Sequence, residues 1–189
     1  MTDFAAARLN MVESQVRPSD VTDIAIQEAM RRLPRETFVP ADKAYLAYAE
    51  AAVEYAPDRW LMKPREVAKL LQMVRPVQGE RALAIAAPYA AAVLELMGLV
   101  VDRLDEGDLK TIAQGGYDLV VSEGAVAKVP KAWLSALGPH GRLGAVERVG
   151  PVGQATLYVR TGESFGSRTV FDATPPVLPG FEPVHGFSF

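Results

Sequence analysis

Apolar positions in the first third of the chain recur at helical spacing. Leu9, Val12 and Val16 line one side of a helix predicted over residues 5–15, and the opposite side is polar. Ser19 or Asp20 can cap a second helix over residues 21–31, whose Ile24, Met30 and following Leu33 need a core to meet. The stretch LPRETFVPADKAYLAY then sets Pro34 and Pro40 around an aromatic, which suits a fixed loop anchored by Phe38 and Val39. Pro64 fits the first turn of a third helix, where its missing N–H costs nothing. Val67, Leu70, Leu71 and Val74 form that helix's apolar face before Pro76.

From there the pattern changes to short apolar runs alternating with helical segments. ALAIA (82–86) is bounded by Gly79 and Pro88, AAAVLELM (90–97) continues at helical spacing, and LVV (99–101) is apolar again before Asp102. YDLVVS (117–122) reads as a buried strand, PKAWLSALG (130–138) as a helix stopped by Gly138, and RLGAVE (142–147) as a further strand. Such alternation predicts an α/β fold with a mainly parallel sheet. ATLYVRTG and SRTVFDA, separated by residues 163–166, predict an antiparallel hairpin at its edge, and the proline-rich tail TPPVLPGFEPVHGFSF carries aromatics that can dock on the body. The expected organisation is a single domain over residues 1–189, with a helical segment at 1–76 and the sheet, hairpin and tail at 77–189.

A length of 189 residues, 49% of them apolar and 23% charged, suits one globular domain and excludes a disordered or fibrous chain. Lys+Arg 20 against Asp+Glu 23 leaves a formal charge of −3, so no field for holding nucleic acid is present. With no cysteine, and with only His140 and His185 far apart in the chain, no metal centre is expected. Charges at Asp3, Arg8 and Glu13 interrupt the opening stretch where an export signal needs apolar residues, so a cytoplasmic location is expected. Residues 82–101 have the length of a bilayer span with a single charge, Glu95, but Pro88 and Gly98 break the run and no membrane segment is expected. Ser122 lacks the GxSxG elbow, and zinc-protease, phosphate-loop and EF-hand patterns do not occur.

Several stretches, in order, carry a resemblance: MVESQVRP (11–18), DVTDIAIQEAM (20–30), LPRETFVP (33–40), AYAE (47–50), LMKP (61–64) with the helix after it, and YDLVVSEGAVAKVPKAWLSALGPHGRLGAV (117–146). Together they resemble the protein-L-isoaspartate O-methyltransferases, which methylate damaged aspartyl residues with S-adenosylmethionine. The resemblance implies a Rossmann-like, class I methyltransferase-like sheet with N-terminal helices.

The chain departs from that family's pattern in three places. The cofactor loop of such enzymes is rich in glycine, since the backbone must approach the ligand, adopt φ > 0 and offer N–H groups. Here Ala86 and Ala87 stand in those places and Pro88 has no N–H to donate. A strand, helix and parallel strand need about 30 residues. Residues 82–117 hold only one such unit, so the sheet is expected to be truncated by about one βα unit, at its second or its third strand. Asp102 has the spacing of the ribose-binding acid, and GDL (107–109) resembles a segment that contacts adenine; both also read as a strand end and a turn. On the substrate side, Met62 and Lys63 replace the small hydroxyl residue and glutamine that would bind the isoaspartyl carboxylate.

No catalytic residue is expected, and Ala86, Ala87, Pro88 and Asp102 are vestigial cofactor positions. A ligand pocket, if present, would draw on Arg59, Met62, Lys63 and Glu123, the last at the carboxyl edge of the sheet, where it can equally cap backbone N–H groups. The expected function is that of an isoaspartyl-methyltransferase-like protein without S-adenosylmethionine, acting through a protein partner or self-association. An active methyltransferase with a remodelled cofactor loop, or a binder of another small metabolite, are the alternatives.

Overall fold

The computed structural model describes residues 3–183; the end of the tail, including His185, lies outside them. Helix α1 (Phe4–Met11) is capped by Asp3, whose carboxylate accepts the Ala6 N–H at 3.0 Å. It runs on into a wide turn at Val12–Val16, burying Met11, Val12 and Val16. Helix α2 (Ile24–Arg32) starts later than expected because Asp23, not Ser19 or Asp20, accepts the first free N–H groups, those of Ala25 and Ile26. Ile24 is therefore the first helical residue and is 65% exposed, while Ile26, Ala29 and Met30 form the buried face.

The proline-bounded loop folds as two 3-10 turns, Arg35–Phe38 and Ala41–Leu46. Phe38 and Val39 pack against the core, but the deepest anchor is Arg35, which is fully buried. The first 76 residues are not purely helical. Strands β1 (Val53–Ala56) and β2 (Arg59–Leu61) form a hairpin around Pro57 and Asp58, the latter at φ 55 with its N–H donating to Glu54. Helix α3 (Pro64–Val74) follows, with its predicted apolar face buried.

The sheet comprises β3 (Arg81–Ile85), β4 (Val100–Leu104), β5 (Tyr117–Val126), β6 (Leu137–Glu147), β7 (Gly153–Thr161) and β8 (Ser164–Ala173), in the order β4-β3-β5-β6-β7-β8. Pairing is parallel from β4 through β6 and antiparallel from β6 to β8. Helix α4 (Pro88–Leu96) crosses from β3 to β4, and the short α5 (Lys131–Ser135) from β5 to β6. Ala82, Ala84, Leu119 and Val121 enter one apolar cluster, with the N-terminal helices, α3 and α4. Leu83, Ile85 and Val120 enter the other, with Trp133, Leu109, Leu178 and Phe181. The period of two along β3 and β5 thus buries both sheet faces, as the continuous apolar runs required.

The missing unit is now located. The second strand, β4, is present and stands at the sheet's edge, and residues 105–116 return directly to β5 with neither helix nor strand. What is lost is the third strand and the helix before it. Leu109 and Ile112 of that segment cover the face instead, and the carbonyl of Leu109 accepts the Trp133 Nε1–H at 2.7 Å. Edge strand β4 carries two ion pairs, Arg81–Asp102 at 2.6 Å and Arg103–Glu95 at 2.8 Å. Val100 stays 62% exposed.

Candidate functional site

Strand order reverses between β3 and β5, so the crevice outside their carboxyl ends is where an open α/β sheet places a ligand. The turn leaving β3 keeps the left-handed bend without a glycine: Ala86 sits at φ 46. The expectation that alanine would abolish this bend is corrected, since the surrounding packing holds the strain, which costs about 1–2 kcal/mol for a residue with a Cβ. The donors of the bend are, however, used internally. Ala86 N–H donates to the Leu104 carbonyl at 2.9 Å and Ala87 N–H to the Asp105 carboxylate at 3.3 Å. Pro88 is the first residue of α4, where no N–H is required.

Glu123 projects from β5 into this crevice and is fully buried. One carboxylate oxygen accepts the Ala90 N–H in the first turn of α4 at 2.7 Å; the other accepts the Met62 N–H at 3.0 Å. A single side chain therefore fastens the first turn of α4 to the segment between β2 and α3. Arg35 completes the arrangement from the N-terminal loop. Its Nη2 donates to the Met62 carbonyl, its Nε to the Ala47 carbonyl at 2.8 Å, and its guanidinium lies 4.4 Å from the Tyr89 ring centroid. Nη1 has no hydrogen-bond partner among the described residues. Phe38 meets the same ring edge-on at 5.5 Å.

Burial pushes the Glu123 carboxyl above its ordinary value of 4.5, opposed by the Arg35 charge and the two N–H donors. Tyr55, Tyr89 and Asp105 are raised as well, each chiefly by burial. For a carboxyl whose folded value is raised, the native state binds the extra proton, so stability falls as pH rises from 4.5 to the folded titration point. Relative to Glu123→Gln, which cannot ionise, the wild type is therefore expected to lose up to about 1.4 kcal/mol per pH unit across that window and nothing below it. Urea unfolding of both proteins at stepped pH checks this; parallel curves would refute it.

The other residues singled out in the sequence fall as follows. Met62 is buried and contributes only its backbone. Lys63 donates to the Thr174 hydroxyl at 3.0 Å and lies 3.7 Å from Glu66, on the tail side rather than in the crevice. Arg59 is half-buried in β2, and its charge acts on Tyr55 and Asp105. Asp102 is displaced from the expected place: β4 runs on to Leu104, so Asp102 pairs with Leu83 in mid-strand and binds Arg81 and the Tyr117 hydroxyl. The acid at the carboxyl end of β4 is Asp105, which the sequence reading missed because polar Asp102 and Arg103 seemed to end the strand. Asp108 of GDL caps a turn through Lys110 N–H and the Thr111 hydroxyl.

The tail closes the crevice from the other side. Val177 bridges to Ala125, Ala125 N–H donates to the Pro176 carbonyl at 2.8 Å, and Leu178 N–H donates to Ala125 at 2.8 Å. Gly124, at φ 117, is required here because a Cβ would stand 2.7 Å from Leu178. Phe181 then packs on Trp133 at 5.4 Å. Among the described residues no group of His, Asp or Glu is arranged to hold a metal ion, and no helix is long and apolar enough to cross a membrane.

A parallel sheet with this reversal, helices on both faces and an antiparallel edge defines a Rossmann-like fold of the methyltransferase type. A solved protein-L-isoaspartate O-methyltransferase superposes on it with a TM-score of 0.70 at 17% identity, covering 93% of this chain, which spans only 66% of that one. A chain from Plasmodium falciparum, described as a β-aspartate methyltransferase in complex with S-adenosyl-L-homocysteine, gives 0.70 at 14% identity, with 90% and 97% covered. The family model for protein-L-isoaspartate (D-aspartate) O-methyltransferase matches residues 8–102. Proteins of that name from Methylorubrum populi and Methylorubrum extorquens are 34% and 31% identical, over 89% and 82% of this chain and 92% and 79% of theirs. The chain belongs to the protein-L-isoaspartate O-methyltransferase family.

Proposed function

We propose that this family member is a cytoplasmic protein that neither binds S-adenosylmethionine nor transfers a methyl group, and that it acts through contact with another protein chain. The observation that carries this reading is the saturation of the crevice. Ala86, Ala87, Ala90 and Glu123 are fully buried, and the N–H groups of Ala86, Ala87 and Ala90 are bonded to the protein itself. A nucleoside-type ligand needs backbone left bare and donors left free at such a turn. The residues present do not fit that group. Contact with another polypeptide is supported by the open edge of β4 beside exposed Val100, where loss of the third strand left backbone groups unpaired by the sheet.

The rival reading, an active methyltransferase with a remodelled loop, draws on Asp105 at the end of β4 and on the surviving bend at Ala86. Isothermal titration separates the two. Millimolar S-adenosylmethionine or its demethylated product is expected to give no binding heat, and an isoaspartyl peptide no methyl ester. Binding in the micromolar range would overturn the reading. On the same sample, light scattering that finds a strict monomer at high concentration, together with no protein captured on an immobilised chain, would count against action by contact.

A further inference from the structure

The closure of the crevice has a specific chemistry at its centre. The N–H groups of Ala90 and Met62 belong to segments 28 residues apart, yet both donate to one carboxylate. The Ala90 donor lies in the first turn of the nine-residue α4, where the helix field favours an anion. Arg35, fully buried and with Nη1 unpartnered among the described residues, binds the carbonyl of the same Met62, and its charge opposes the upward shift of Glu123. Asp105, Tyr55 and Tyr89 are the other titratable groups acting on this point. Helix end and extended segment together make a receptor for a single carboxylate, braced by the guanidinium through the Met62 carbonyl, and its occupant is the protein's own side chain.

We propose that Glu123 is an internal ligand: it fills a built carboxylate-binding site, which accepts a free small carboxylate once the side chain is removed. This deepens the reading of a self-saturated crevice but is tested separately from it. Formate binding to a Glu123 variant can succeed or fail whichever way the cofactor titration on the wild type ends.

The experiment compares wild type, Glu123→Ala, Glu123→Gly and Glu123→Gln by thermal unfolding in sodium formate and in sodium chloride of equal ionic strength. Alanine and glycine vacate the site, whereas glutamine fills it. The midpoints of Glu123→Ala and Glu123→Gly are expected to fall in chloride and to rise by several degrees in formate, saturating with concentration. Wild type and Glu123→Gln are expected to respond alike to the two salts. If the vacated variants do not fold in chloride, formate is expected to recover folded protein. No formate-specific shift or recovery in either vacated variant, or the same shift in all four proteins, would overturn the proposal.

Discussion

Replacing Arg35 by alanine is expected to destabilise the fold by about 3–5 kcal/mol, the cost of emptying a large buried side chain's volume and leaving two buried carbonyls without a donor. The guanidinium is fully buried and joins three parts of the chain: the Ala47 carbonyl, the Met62 carbonyl and the ring of Tyr89 on α4. Its removal orphans two carbonyls and takes the compensating charge from Glu123. Arg35→Lys restores charge but not the planar fork, so it is expected to recover only part of the loss. Above the Glu123 titration point, combining Arg35→Ala with Glu123→Gln is expected to cost less than the sum of the single changes, by about 1 kcal/mol or more, because both charges leave together. Urea unfolding supplies all these values. An Arg35→Ala loss under about 1 kcal/mol, with additive doubles, would show that the two charges do not depend on each other.

Trp133→Ala is expected to cost a similar amount, about 3–5 kcal/mol, by emptying the centre of the second apolar cluster. That cluster exists because the segment at residues 105–116, which replaces a strand and a helix, must cover the sheet face with few side chains. Leu109 is the main one, and Trp133 holds it in place: its Nε1–H donates to the Leu109 carbonyl, and its ring meets Phe181 from the tail. Trp133→Phe keeps most of the volume and loses the bond, so it is expected to cost about 1–2 kcal/mol. The two changes also differ locally. Loosening Leu109 is expected to speed proteolytic cleavage within residues 105–116 more than global stability alone would, as limited proteolysis at low denaturant would reveal. Equal protection of that segment in Trp133→Phe and wild type would mean the hydrogen bond does not pin it.

Most of the scaffold was legible in the order of hydrophobic runs. Helix α3 matched because a proline start and an unbroken apolar face leave little choice, and the core of β3 and β5 because continuous apolar runs suit only a doubly covered sheet. The shortage of residues between β3 and β5 correctly implied a lost unit, since chain length sets a hard limit on what can be built. The hairpin of β1 and β2 was missed although Pro57 and Asp58 between VEYA and RWL offered a usable turn signal. The end of β4 was misplaced for a different reason. An edge strand tolerates charge, so Asp102 and Arg103 gave no sign that it continued, and Asp105 went unnoticed.

The sequence by itself determined the family, the parallel sheet, the length deficit and the loss of glycine at the cofactor turn, because each of these follows from local residue chemistry or from counting. Only the tertiary structure decided that the third strand is the missing one, that the bend at Ala86 survives, and that Glu123 and Arg35 meet at Met62. The last of these depends on contacts between residues 35, 62, 90 and 123, which no local pattern relates. Burial then converts an ordinary glutamate and an ordinary arginine into the partners that hold the crevice shut.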